Sequence, residues 1–280
     1  MIDGHMHMVL DGVYWKEAIG RHREAVDTAW VRRVLAEYQA KGFTWLRDGG
    51  DRWGVGATAR ALAGEYGIVY RTPLSPMFYK GHYGGIIGMG FETLKEYAAM
   101  VVQLRRDGAD FVKIMISGLM DLNACGVLSE EGLPSEMIVE MIHIAHEEGF
   151  AVMAHANGAR TMEAAARAGV DSIEHGAYAD GETLAAMKEN GTIWVPTLST
   201  VAAPIGKGRF SDQALSAILE AALENVAAFS AMGGMVAPGT DAGAWAVPHG
   251  TALEYELLSP LADIEKGAKA LMERFCGSVD

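Results

Sequence analysis

Apolar runs of about four to eight residues, rich in Val, Ile, Thr and aromatics and closed by turn residues, recur along the chain and read as buried strands. Eight are visible, near Met1–Met8, Phe43–Asp48, Gly67–Leu74, Phe111–Ser117, Phe150–His155, Ser172–His175, Thr192–Leu198 and Met235–Thr240. Segments between them repeat their apolar positions at helical spacing instead. Glu24–Lys41 aligns Ala25, Ala29, Val31, Val34, Leu35 and Tyr38 and stops at Gly42. Pro134–Glu148 opens with proline and gathers Met137, Ile138, Met141, Ile142 and Ala145 on one side. Ala159–Ala168, Gly181–Asn190, Ser211–Met232 and a last region from about Thr251 to Phe275 read the same way.

Strands alternating with helices predict a parallel sheet, because each parallel return needs a crossover. Eight such units fit a single α/β domain spanning 1–280, a (β/α)8 TIM-type barrel, better than an open doubly wound sheet. No G-x-G-x-x-G follows the first run, and no linker or low-complexity stretch divides the chain. In such a barrel the active site lies at the C-terminal ends of the strands.

Composition narrows the partners. With 23 Lys+Arg against 36 Asp+Glu the net charge is −13, which argues against a nucleic-acid surface. No uninterrupted apolar run reaches the ~18 residues of a membrane span. Cys125 and Cys276 are too few for a disulfide framework, and Met1-Ile2-Asp3-Gly4-His5 shows no basic signal segment. A cytoplasmic protein acting on a small molecule is the expectation.

The ends of the runs carry the chemistry. His5 and His7 are two apart on a strand, so both imidazoles point to one face. Lys113 interrupts the apolar Phe111-Val112-Lys113-Ile114-Met115, where an unpaired ammonium is costly. His155 ends Ala151-Val152-Met153-Ala154-His155, His175 ends Ser172-Ile173-Glu174-His175, and Asp241 follows Gly239-Thr240. Singly, each reads as a satisfied core group. Together, four imidazoles, a carboxylate and a modifiable lysine make a nitrogen/oxygen site for zinc or a similar divalent ion.

The same segments resemble the amidohydrolase superfamily, in its imidazolonepropionase-like and Xaa-Pro dipeptidase-like branch. The strings that carry the resemblance are Gly108-Ala109-Asp110-Phe111-Val112-Lys113-Ile114, Ala154-His155-Ala156-Asn157-Gly158, Ala168-Gly169-Val170-Asp171-Ser172-Ile173-Glu174-His175-Gly176 and Gly239-Thr240-Asp241-Ala242-Gly243, in that order. The resemblance implies two divalent ions, zinc by preference. His5, His7 and Asp241 would bind one, and His155 and His175 the other. Lys113, carrying a carboxylate derived from carbon dioxide, would bridge them. It further implies that a hydroxide shared by the ions attacks a small amide, a dipeptide or N-acyl amino acid, while Asp241 carries the proton to the leaving group.

Two features depart from that branch. Its members usually add a small β-sandwich before the first strand and after the last helix; here an apolar flank is left open to a second copy in a homo-oligomer. Ser117-Gly118-Leu119-Met120 also replaces a segment with a second glycine. A one-metal cyclic-amide hydrolase or deaminase, a lactone or ester hydrolase, and a non-catalytic metal-binding barrel stay open.

Several other residues need placing. His82, in Tyr79-Lys80-Gly81-His82-Tyr83-Gly84-Gly85, is a candidate donor to a substrate carboxylate or carbonyl, against the plainer reading of a solvated loop histidine. Tyr178, three residues past His175, is a candidate partner of the tetrahedral oxygen. His249 reads as packing, and His22, His143 and His146 as surface groups. The methionines read as core filling. Glu174, adjacent to His175 on a strand, is expected to face the helices and carries no catalytic role.

Overall fold

All eight apolar runs form strands, and each strand pairs with its neighbours in parallel. The computed structural model of the chain describes residues 1–276. In order, the elements begin β1 (Ile2–Met6), α1 (Trp15–Gly20), α2 (Thr28–Ala40), β2 (Trp45–Asp48), α3 (Val55–Ala63), β3 (Val69–Arg71), β4 (Met77–Tyr79) and β5 (Met89–Phe91). They continue through α4 (Leu94–Arg106), β6 (Val112–Met115), α5 (Ser135–Glu147), β7 (Val152–Ala156), α6 (Ala159–Arg167), β8 (Ser172–His175) and α7 (Gly181–Glu189). The last are β9 (Ile193–Val195), α8 (Ser199–Ala202), α9 (Asp212–Ala231), β10 (Met235–Val236), α10 (Leu253–Leu258) and α11 (Ile264–Arg274).

The result is an α/β fold with two sheets, ordered β1-β2-β3 and β10-β9-β8-β7-β6-β4-β5. Their edges lie close together. Gly4 N donates to Pro238 O at 2.9 Å and Asp241 N to His5 O at 2.7 Å, tying β1 to the chain after β10. At the other side, Asp110 N donates to Thr72 O at 3.0 Å, between β3 and the approach to β6.

Alternation along the strands sorts the side chains. Val112, Ile114, Val152, Ala154, Ile173 and Trp194 pack in one buried cluster with Tyr97, Ile138, Ala165 and Leu184 from the helices. Side chains on the alternate positions, Lys113, Met153, His155, Ser172 and Glu174, are buried away from those helices. Helix starts follow the expected chemistry, with Asp27 accepting from Trp30 N at 3.0 Å and Thr93 from Glu96 N at 3.1 Å.

Three expectations change. The final helical region is two helices, because Pro260 has no N–H with which to continue the α10 ladder. His22 is buried, not a surface group: its Nδ1 accepts from Asp27 N at 3.2 Å, where the chain folds back before α2. Among the described residues one helix, α9, is long and apolar enough by length and composition to cross a membrane. Its Leu215, Ile218, Val226 and Phe229 are buried in the fold.

Gly267 sets how closely α11 approaches β10. A Cβ there would stand 1.7 Å from Val236 O and 3.0 Å from Ala237 N. Gly267→Ala is therefore expected to lower stability by about 1–3 kcal/mol, read as a lower urea midpoint at unchanged slope. An unchanged midpoint would contradict that packing.

Candidate metal centre

The polar side chains collect where the parallel strands end. His5 is in β1, Lys113 in β6, His155 in β7, and His175 closes β8; His7 and Asp241 follow β1 and β10. Ligand atoms of His5, His175 and Asp241 all lie within 4.8 Å of one another, a spacing that can hold a metal ion. Asp241 Oδ1 is 3.3 Å from His7 Nε2 and 3.7 Å from His5 Nε2. The His155 and His175 rings are 4.6 Å apart, and those of His5 and His175 are 5.1 Å apart.

Three of the four imidazoles have one ring nitrogen held by a neighbour, which orients the other. His5 Nδ1 lies 2.8 Å from Glu174 Oε2, His155 Nε2 3.1 Å from Gly118 O, and His175 Nδ1 2.7 Å from Thr197 Oγ1. Asn157 reinforces His155, donating from Nδ2 to Gly118 O at 3.0 Å while its N–H donates to Ser117 Oγ at 2.7 Å. The unusual Ser117-Gly118 segment thus serves as the seat of a histidine. His7 is held by shape instead: a Cβ on Gly49 would lie 2.1 Å from His7 Cε1.

Beneath the cluster lies an ion pair with both members fully buried. Arg47 donates to Glu174 Oε1 at 2.8 Å and Oε2 at 3.0 Å, to Gly4 O at 2.6 Å and to Ser172 Oγ at 2.9 Å. Such a pair survives only when its hydrogen bonds are nearly complete. Asp3 plays a matching part for Asp241. It accepts from Thr240 N at 2.8 Å, Thr240 Oγ1 at 2.6 Å and Tyr38 Oη at 3.0 Å, fixing the turn that presents Asp241.

Backbone strain is concentrated here. Of the six non-glycine residues at positive φ among the described residues, His175 (65°), Thr197 (49°) and Asp241 (55°) belong to the cluster. Strain of this kind persists when surrounding contacts enforce it.

Electrostatics favours neutral imidazoles ready to bind cations. Burial, then the nearby Lys113 charge, lowers His7 and His155 to about 3 and takes His5 well below the usual histidine range; burial, then the neighbouring His155, takes His175 there too. Burial pushes the Asp241 carboxyl up against the pull of Lys113, and pushes the Lys113 amine down. Lys113 Nζ is buried and has no hydrogen-bond partner. The cluster forms the floor of a cavity of about 320 Å³. Its walls are mostly apolar, including Leu10, Ile87, Met115, Leu119, Phe210 and Trp245.

No protein-family model matches the chain. Over 230 residues it is 30% identical to an ochratoxinase of Aspergillus niger, covering 77% of this chain and 42% of that protein. The chain therefore spans less than half the length of that curated relative. A solved Xaa-Pro dipeptidase with methionine bound in its active site superposes with a TM-score of 0.76 at 23% identity, over 98% of this chain and 75% of the other. The solved A. niger ochratoxinase gives 0.74 at 23% identity, over 96% and 68%. The chain is thus similar in sequence to that ochratoxinase and shares its fold with the solved Xaa-Pro dipeptidase.

Of the residues singled out in the sequence, His5, His7, Lys113, His155, His175 and Asp241 share the cavity floor. His82 and Tyr178 do not line that cavity. His82 Nδ1 faces the Glu130 carboxylate at 3.6 Å and its ring sits 5.6 Å from that of Tyr79. Its neighbour Tyr83 takes the inward place, with its ring 4.9 Å from His155. Tyr178, at φ 63°, lines a small second cavity beside Met120 and Asn225. His249 packs as expected, its Nε2 2.9 Å from Leu10 O. His143 and His146 are exposed, although His146 Nε2 reaches Asp171 at 2.9 Å.

Glu174 requires a correction: it faces the cluster, not the helices. Strict alternation fails because positive φ at His175 turns that ring toward the same side. The available signal was Arg47, a second charge in an apolar strand that needed a buried partner.

Two outcomes test this arrangement. Arg47→Met leaves the buried Glu174 without its guanidinium partner, so it should cost about 3–5 kcal/mol in urea unfolding; a wild-type midpoint would contradict the pairing. Gly49→Ala should displace the His7 ring and weaken zinc affinity about tenfold or more in chelator competition. Unchanged affinity would remove His7 from the centre.

Proposed function

We propose that the chain is a metal-dependent hydrolase of carbon–nitrogen bonds, cleaving a small amide such as a dipeptide or N-acyl amino acid. The observation that carries this reading is the buried, partnerless Lys113 amine among four imidazoles and a carboxylate. The backbone bonds at both sheet margins support one closed (β/α)8 barrel, with the cluster at the C-terminal ends of its strands.

The donor set fits two divalent ions, zinc by preference. His5, His7 and Asp241 would hold one, and His155 and His175 the other. Burial favours the neutral form of Lys113, and a neutral amine adds carbon dioxide, forming an N–C bond and releasing a proton. The carbamate so formed would be an anionic ligand for the ions, in place of an unpaired cation. When bound, the ions supply Lewis acidity and a water acidified to near-neutral pH.

The chain's own groups do the rest. Asp241, held by the Thr240 turn and lying at the cavity floor, accepts the proton of the attacking water on a carboxylate oxygen and returns it to the leaving nitrogen. Glu174 and Thr197 keep the His5 and His175 rings in register. The apolar walls limit water around the scissile bond.

Zinc-replete protein is expected to release amine from N-acyl amino acids or dipeptides and to lose that activity in EDTA. Asp241→Asn should keep bound metal and lower kcat by about 10²–10⁴-fold. No amide cleavage by the metal-replete protein, or full turnover by the Asn variant, would overturn the assignment.

A further inference from the structure

The cavity has a second pole. Two cationic side chains line it, Lys113 buried on the floor and Arg209 exposed to solvent. Arg209 lies in the segment between α8 and α9, after Gly206 and Gly208, both at positive φ. Its guanidinium stands 4.7 Å from the Trp245 ring centre and 5.3 Å from that of Phe210. The two rings meet edge-on, 5.5 Å apart at 85°.

Arg209 therefore has aromatic neighbours and, among the described residues, no carboxylate partner. Contrast Arg21, Arg60, Arg71 and Arg274, which all pair with aspartates. Stacking orients a guanidinium and leaves its edge donors free, and the planar fork of donors matches a carboxylate. Little else in the cavity could neutralise an anion away from the floor, since the surroundings are apolar side chains such as Leu119, Met120 and Leu122. On a chain of net charge −13, an unpaired cation at a cavity rim marks a selective place for negative charge.

We infer that Arg209 is a specificity-determining residue that receives the free carboxylate of the substrate while the scissile amide lies over the metal-centre residues. The site would thus favour an N-acyl amino acid or dipeptide with an ionised carboxylate over the corresponding neutral carboxamide. This rests on the hydrolase reading of the same cavity for what is cleaved, but not for what is bound.

Binding and turnover separate the two ideas. In calorimetric titrations of the zinc-replete protein at low salt, 3-phenylpropionate should bind about tenfold more tightly than 3-phenylpropionamide. Arg209→Met, which keeps apolar bulk against the two rings, should close that gap to about twofold with amide binding unchanged; Arg209→Lys should restore part of it. Equal affinities in the wild type overturn the proposal. So does a preference that persists in the Met variant, because the carboxylate would then be bound on the floor. With N-acetylphenylalanine and its carboxamide, Arg209→Met should raise KM for the acid alone, by about tenfold at near-constant kcat. Selective binding without hydrolysis of either compound would sink the hydrolase reading and leave the Arg209 assignment standing. Hydrolysis without charge preference would do the reverse.

Discussion

Lys113 sits inside the protein with no hydrogen-bond partner for its amine, on the same cavity floor as four neutral imidazoles and within reach of the Arg47 field. An ammonium in that place is opposed by desolvation and by Arg47, and favoured by Glu174 and Asp241. The neighbouring groups therefore cannot be read one at a time. Glu174 is already engaged by Arg47, Ser172 and His5, so it does not supply Lys113 with a hydrogen bond. A buried group left open in a site otherwise so fully connected is the feature from which the metal chemistry follows.

The fold keeps this arrangement in place by moving its costs away from the ligands. Glu174 with Arg47, Asp3 with Tyr38 and Thr240, and Asn157 with Gly118 each satisfy groups behind the centre. These partners come from strands β1, β2 and β8, helix α2 and separate loops, so the geometry depends on the whole fold and not on one loop. That explains why positive φ is tolerated at His175, Thr197 and Asp241 together. The side chains at the cavity floor are consequently better fixed than those at its rim, where Tyr14, Trp15 and Arg209 are exposed.

Much of this was legible from periodicity. Five of the eight apolar runs carry or lead into the residues that meet at the floor, and period-two alternation placed His5 and His7 on one side. What failed was alternation at its limits: Glu174 was placed on the wrong face because the last residue of β8 departs from strand geometry. The short β4 and β5 pair was not foreseen, since Met77–Tyr79 and Met89–Phe91 are too brief for a periodic signal. In the Gly-rich loop, sequence drew attention to His82, whereas the neighbouring Tyr83 reaches the cavity; one residue of turn geometry decided the matter. Arg209 gave no signal at all, because Phe210 and Trp245 lie 35 positions apart and only the fold brings them together.

The central claim is that Lys113 joins two ions into one centre. Elemental analysis of dialysed, zinc- and bicarbonate-loaded protein tests it most directly, comparing wild type with Lys113→Met. The account predicts about two ions per chain in the wild type and at most one in the variant, with folding confirmed by circular dichroism. One ion in each protein would contradict it, leaving Lys113 without the role that its burial suggests.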